Sequence, residues 1–308
     1  MKNLPLHGGR LLTLAALVFL FLSLRKHFSE IPNIVWNVAS VSSLVATVVF
    51  FMACSGCGSL AWALLIRGGK IILPFRLAYV ILGISQIRKY LPGNFFHYIA
   101  RVTEGKRYGL ATEAIILSMG AETLIAAGTA AIIGVAGFYW FKTGTDFAVG
   151  EFVSLNRSTA IVGFVLMSTA TIVAFWLWPA ARRWIKPRVS YLRLNRLLPS
   201  MLLFGVMDIF IGIFVILLLE GVWGINTSWP WYRYSWGFTL AWLLGFVIPG
   251  VSGGIGVREA VIVALFGGSL GIGVAAGLAV VLRIITIVAD IFTFAIASWL
   301  GQDQVVRS

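Results

Sequence analysis

Hydrophobic positions in this chain gather into long runs separated by short basic clusters, and two of the runs break at the same dipeptide. The runs at 34–66, 111–140, 158–178, 200–219 and 271–300 have the length of membrane-crossing helices, for which about 20 apolar residues suffice. A shorter run at 11–24 is bracketed by Arg10 and by Arg25 and Lys26. No small-residue cleavage site follows it, so it reads as an uncleaved first helix with snorkelling flanks. The run at 77–100 is cut by Arg88-Lys89 and by Pro92-Gly93, and 234–248 runs into Pro249-Gly250 ahead of a short apolar helix at 257–266. Proline clashes with the preceding helical turn and glycine tolerates backbone angles that other residues resist, so both sites end a helix. In each copy an arginine, Arg101 or Arg258, stands nine residues after the proline. Non-helical backbone survives in a membrane only where protein buries it or water reaches it. Paired interruptions of this kind point to the binding site of a translocator.

Loop charges orient the runs. The segment 179–198 carries Arg182, Arg183, Lys186, Arg188, Arg193 and Arg196 without an acid, which places it on the cytoplasmic side. Lys142, Asp146, Glu151 and Arg157 cancel, so their loop is expected outside. Arg67, Lys70 and Arg76 precede the first Pro-Gly element, and Lys106 and Arg107 follow it. A segment with both flanks cytoplasmic enters and leaves on one face. Three crossings separate it from the second Pro-Gly element, which then enters from the opposite face. The expected fold is an all-α polytopic membrane protein, one membrane domain over 1–308 with repeat-like elements at 77–140 and 234–300. It has about six spanning helices plus two re-entrant hairpins in an inverted repeat, and both termini are cytoplasmic. The alternative lets both hairpins span, giving eight helices.

Composition narrows the function. Hydrophobic residues make up 59% of 308 residues and charged ones 11%, as expected of a cell-membrane protein. The longest polar stretch, 179–199, is far below the size of a soluble domain, about 50 residues or more, so no soluble catalytic module is expected. The net charge of +13 sits in the short loops of the positive-inside pattern and does not imply nucleic acid. The stretch from Arg182 to Arg196 is placed along the inner leaflet, where it attracts anionic lipids. Cys54 and Cys57 lie among Ser55, Gly56, Gly58 and Ser59, small residues that let helices approach closely, and no other cysteine or nearby histidine completes a metal or redox site. Trp223, Trp229, Trp231, Tyr232, Tyr234 and Trp236 read as an external aromatic belt.

Ionisable residues inside apolar runs cost about 2.5–3.5 kcal/mol each on insertion scales, so they face a cavity or a partner. Here they are Glu122, Asp208, Arg258, Glu259, Arg283 and Asp290. Arg283 and Asp290 are two helical turns apart and share a face. Glu122, Asp208, Arg283 and Asp290 are read either as interhelical clamps or as gating and proton-relay groups. The turn Gly253-Gly254-Ile255-Gly256 opens a helix and exposes backbone N–H groups at the positive end of its dipole, a ready anion site. Arg258 adds a charge-assisted fork for phosphate, and Glu259 accepts from an amine or holds a cation. The first copy is bulkier, with Phe95, Phe96, His97 and Tyr98, and Arg88, Lys89 and Arg101 make it cationic. The candidate substrate-binding set is Arg101, Gly253, Gly254, Gly256, Arg258 and Glu259, and the structural breaks are Pro92, Gly93, Pro249 and Gly250. No catalytic residue, metal site or cofactor is expected.

Leu91-Pro92-Gly93 with Arg101, Ser118 to Glu122, and Pro249-Gly250 with Gly253 to Glu259 together resemble the transmembrane region of the lysylphosphatidylglycerol synthase family, the flippase-like membrane proteins. The resemblance covers most of the chain from the second helix onward. It implies movement of lipids with charged or glycosylated heads between leaflets. The soluble aminoacyl-transferase domain of the synthases is not in this chain, so lipid aminoacylation is not implied. Two departures bear on the substrate. Many members carry Gly-Gly and an acid where this chain has Phe96, His97 and Tyr98, and many follow the helix glutamate with arginine where it has Thr123. The leading expectation is a lipid translocase, not an enzyme, whose partners are phospholipid or polyprenyl-phosphate lipids. The alternatives are an accessory protein for a glycosyltransferase or lipid-modifying enzyme, and a secondary transporter of small solutes.

Overall fold

The computed structural model describes residues 33–34, 36–66, 73–90, 95–140, 183, 185–247 and 252–305. Among these residues there are eight α-helices and no strand beyond an isolated bridge between Ile66 and Leu192. We label the helices α1 (Val38–Leu65), α2 (Phe75–Gln86), α3 (Phe96–Arg107), α4 (Thr112–Trp140), α5 (Leu197–Trp223), α6 (Trp231–Val247), α7 (Val257–Leu270) and α8 (Ile272–Val305). Val38–Leu65, Thr112–Gly137, Leu194–Trp223 and Ile272–Gln302 are long and apolar enough to cross a membrane. The described chain is thus an all-α bundle with membrane-length helices. The runs expected at 11–24 and 158–178, and the breaks Pro92, Gly93, Pro249 and Gly250, lie outside the described residues.

Local chemistry sets the helix ends. The apolar run at 34–66 becomes helical only at Val38, because Asn37 caps it: its side chain accepts from the Ser40 N–H, and Ser40 accepts back from the Asn37 N–H. At the far end of α5, Gly224 takes the left-handed conformation at φ 65° and ends the helix. Two boundaries move outward from the apolar limits. Helix α3 continues past position 100 to Arg107, since its polar turn is internally satisfied by the buried Glu104, 3.1 Å from Arg107 and 4.0 Å from Arg88. Helix α7 continues past 266 through Gly267, Gly268 and Ser269 to Leu270, the Ser269 hydroxyl donating to the Phe266 carbonyl.

Contacts give the helix directions. Ser200 near the start of α5 bonds to the Ala61 carbonyl near the end of α1, and Gly221 meets Ser43, so α1 and α5 are antiparallel. Arg193 donates to the Leu65 carbonyl, which seats the basic segment before α5 at the same end. Helix α2 runs against α8: Arg76 bonds to the Leu300 carbonyl, Gly83 packs on Ala297, and Tyr90 bonds to Asp290. Val80 of α2 and Tyr108 at the end of α3 both lie beside Gly301, so the α2–α3 pair folds back on itself. The α6–α7 pair also folds back, with Phe266 of α7 against Tyr234 and Gly237 of α6.

Two apolar clusters hold the ends together. One gathers Trp62, Ile66, Leu73, Leu77 and Ile115 from α1, α2, α4 and the segment before α2. The other gathers Leu218, Trp223, Tyr234, Phe266 and Leu278 from α5 to α8. The α2–α3 pair belongs to the first end and the α6–α7 pair to the second. Their inner tips meet, the segments Ile87–Tyr90 and Ser252–Gly254 being in contact.

Small residues allow close approach, though not where the sequence pattern placed it. A Cβ at Gly56 or Gly58 would meet nothing within 4 Å, so these two glycines are not points of close helix approach among the described residues. The tight crossings are instead at Gly83, where a Cβ would come 2.6 Å from Ala297, and at Gly212, where it would strike the Trp231 carbonyl. The aromatic belt is likewise reduced. Trp223, Tyr234 and Trp236 are buried, and Trp236 donates to the Gly134 carbonyl at 2.9 Å, whereas Trp231 and Tyr232 are exposed. Helical periodicity explains this: alternate aromatics of α6 face α4 and α7 rather than the surroundings.

Candidate functional site

Between the two apolar clusters, at the level where the broken pairs meet, lies a cavity of about 310 Å³. All eight helices contribute to its lining, α7 through Arg258 in its first turn. Arg101, Glu122, Asp208, Gly253, Gly254, Arg258, Arg283 and Asp290 all face it, although they come from six separate places in the chain. Gly256 and Glu259 do not line it.

Glu259 closes the glycine turn from behind. Its buried carboxylate accepts from the Gly256 N–H at 2.6 Å and lies 3.8 Å from Arg283 Nε. Gly253, Gly254 and Gly256 have φ of 56°, 75° and 87°, a left-handed path that a side chain would strain. Arg283 also donates to the Gly253 carbonyl at 3.0 Å and sits over the Tyr90 ring at 5.7 Å. One arginine on α8 therefore ties the tip of the α6–α7 pair to the tip of the α2–α3 pair.

Two more ion pairs cross the same space. Lys89 Nζ lies 2.7 Å from Asp290 Oδ2, and the Tyr90 hydroxyl donates to the same oxygen. Arg101 lies 2.7 Å from Glu122, both buried, with its guanidinium 4.0 Å from the Trp62 ring. Trp62 in turn donates to Ser118 at 2.8 Å, so α1, α3 and α4 are linked through one chain of contacts. Each pair offsets a desolvation cost of several kcal/mol per ion, which neither member could carry alone.

Two charged groups remain. Arg258 has no hydrogen-bond or ion-pair partner among the described residues, and its Nε is fully buried. Asp208, on α5, has no cation within ion-pair distance among the described residues, and the nearby Thr129 hydroxyl donates to the Ala126 carbonyl. The cavity wall also includes Phe51, Cys54, Phe204, Phe238, Trp242 and Phe246. Trp242 and Phe246 are stacked at 5.3 Å.

The site holds residues that sequence patterns did not single out. Tyr90 is the nearest described residue to the first break and reaches Asp290 across 200 positions; its place beside Pro92 was the available signal. Gln86 and the aromatic wall carried no such signal, since phenylalanines in an apolar helix look alike whether they face lipid or a cavity. His97 lines the cavity beside Tyr98, ring centres 3.9 Å apart, with Nδ1 buried and unbonded. Cys54 and Cys57 are both free, and no cluster of metal ligands occurs among the described residues. No family model matches the chain, and no curated protein matches it.

Proposed function

We propose that the protein is a lipid translocase of the flippase-like kind that its Pro-Gly and Gly-rich motifs resemble, moving a phosphate-bearing lipid between leaflets of the cell membrane. The observation that carries this reading is Arg258, which lines the cavity from the first turn of α7 with a buried Nε and no ion pair within 4 Å among the described residues. A guanidinium so placed costs several kcal/mol unless an anion joins it. A phosphate oxygen takes a charge-assisted fork from it, while the Gly256 N–H at the start of α7 is already taken by the Glu259 carboxylate. The volume is at the lower end of ligand pockets, about 300–1,000 Å³, which fits a head group while the acyl chains remain in lipid.

The α2–α3 and α6–α7 pairs act in this reading as re-entrant hairpins from opposite faces, in a protein of about six spans with cytoplasmic termini. Helices α2 and α3, of 12 residues each, are only about 18 Å long against a hydrocarbon core of about 30 Å, which supports this topology over eight crossings. Opening toward one leaflet separates the tips and loosens Lys89–Asp290 or Arg283–Gly253, contacts that bridge them. Arg101 with Glu122 remains a fixed clamp on the α3 side.

Native mass spectrometry of gently purified protein tests the head-group claim. Wild type retains a phosphate-bearing lipid and Arg258→Ala loses it while keeping its fold. Equal retention by both would sink the reading.

A further inference from the structure

We infer that the head group carries an ammonium as well as a phosphate, so that the substrate is a zwitterionic lipid. This rests on the translocase reading for its context and deepens it by naming the substrate class. Three ion pairs, Lys89–Asp290, Arg101–Glu122 and Arg283–Glu259, use up the charges at the cavity among the described residues except Arg258 and Asp208. The two left over have opposite signs and line the same cavity. Arg258 stands at the tip of the α6–α7 pair, and Asp208 on α5, whose neighbours there are Thr129 of α4 and Thr239 of α6.

A purely anionic head would satisfy Arg258 and leave Asp208 as an uncompensated carboxylate facing the same small space. A head with phosphate and ammonium satisfies both and adds no net charge to a desolvated site. The lining also holds what a cation favours, the aromatic side chains of Phe51, Phe204, Phe238 and Trp242. The cavity therefore carries one group for an anion, Arg258, and one for an ammonium, Asp208.

The experiment measures retention and movement in parallel, with phosphatidylethanolamine and phosphatidylglycerol of matched acyl chains as probes. In native mass spectrometry, wild type retains phosphatidylethanolamine over phosphatidylglycerol, and Asp208→Asn lowers that ratio by about tenfold, the loss of one charge-assisted contact. Asp208→Glu restores it, which separates a head-group role from misfolding. Wild type that prefers phosphatidylglycerol, or an Asp208→Asn ratio equal to wild type, overturns the inference. In proteoliposomes carrying the same two lipids with an acyl-chain fluorophore, movement of neither overturns the translocase reading. The retention ratio still decides the head-group class in that case.

Discussion

Removing the Glu122 carboxylate is the perturbation whose cost the structure specifies best. Arg101 and Glu122 are 7% and 8% exposed and 2.7 Å apart, and Arg101 has no other acid within ion-pair distance among the described residues. Glu122→Met leaves a buried guanidinium with only the Trp62 ring 4.0 Å away. Breaking a buried pair from one side costs about 3–5 kcal/mol, and a desolvated cation–π contact returns about 2 kcal/mol at most, part of which wild type already has. The expected loss is about 3 kcal/mol. Replacing both partners, as Arg101→Met with Glu122→Met, removes the stranded charge and restores stability to within about 1 kcal/mol of wild type. The assay is a denaturant titration of wild type, Arg101→Met, Glu122→Met and the double variant in one detergent, read as a double-mutant cycle. A double variant that loses the sum of the single losses would refute the reasoning, because the two residues would then not be coupled.

Three further outcomes follow from the packing and topology. Gly212→Ala drives a methyl into the Trp231 carbonyl and the Ser235 side chain, both fixed to α6, and lowers stability by about 1–3 kcal/mol; a neutral result would mean that α5 and α6 do not cross there. Trp236→Phe removes the indole hydrogen bond to the Gly134 carbonyl and costs about 0.5–1.5 kcal/mol, whereas Trp231→Phe at the exposed start of α6 stays within about 0.5 kcal/mol in the same titration. A cysteine at Lys106, in a background without Cys54 and Cys57, reacts with an impermeant thiol reagent from the cytoplasmic side alone; labelling from outside the cell would mean that α2 and α3 cross the membrane.

Helix positions were legible because apolar runs are local signals. The runs at 34–66, 111–140, 200–219 and 271–300 each coincide with a described helix to within a few residues. Where a boundary moved, a side chain outside the apolar pattern decided it: Asn37 capping α1, or Glu104 satisfying the polar last turn of α3. Orientation within the bundle was far less legible. Tyr234 and Trp236 sit in a tryptophan-rich stretch that looks like a membrane interface, and only the position of α4 and α7 turns them inward. The same holds for the charges. Sequence marks Arg101, Arg258, Glu259 and Arg283 equally as membrane arginines and acids. Which of them are mutually paired depends on contacts across more than twenty positions, such as Arg101 with Glu122 and Lys89 with Asp290, and pairing is what leaves Arg258 and Asp208 as the ones to watch.

The account stands most directly on movement of lipid by the intact chain. Reconstitution into vesicles holding an acyl-labelled phospholipid, with a membrane-impermeant quencher added outside, reads how much of the inner-leaflet label becomes accessible. Wild-type protein is expected to expose that label well above protein-free vesicles, and Arg258→Ala, equally folded and equally inserted, to fall to the protein-free level. Wild-type vesicles that keep their inner label protected, or an Arg258→Ala protein that moves lipid as fast as wild type, would contradict it.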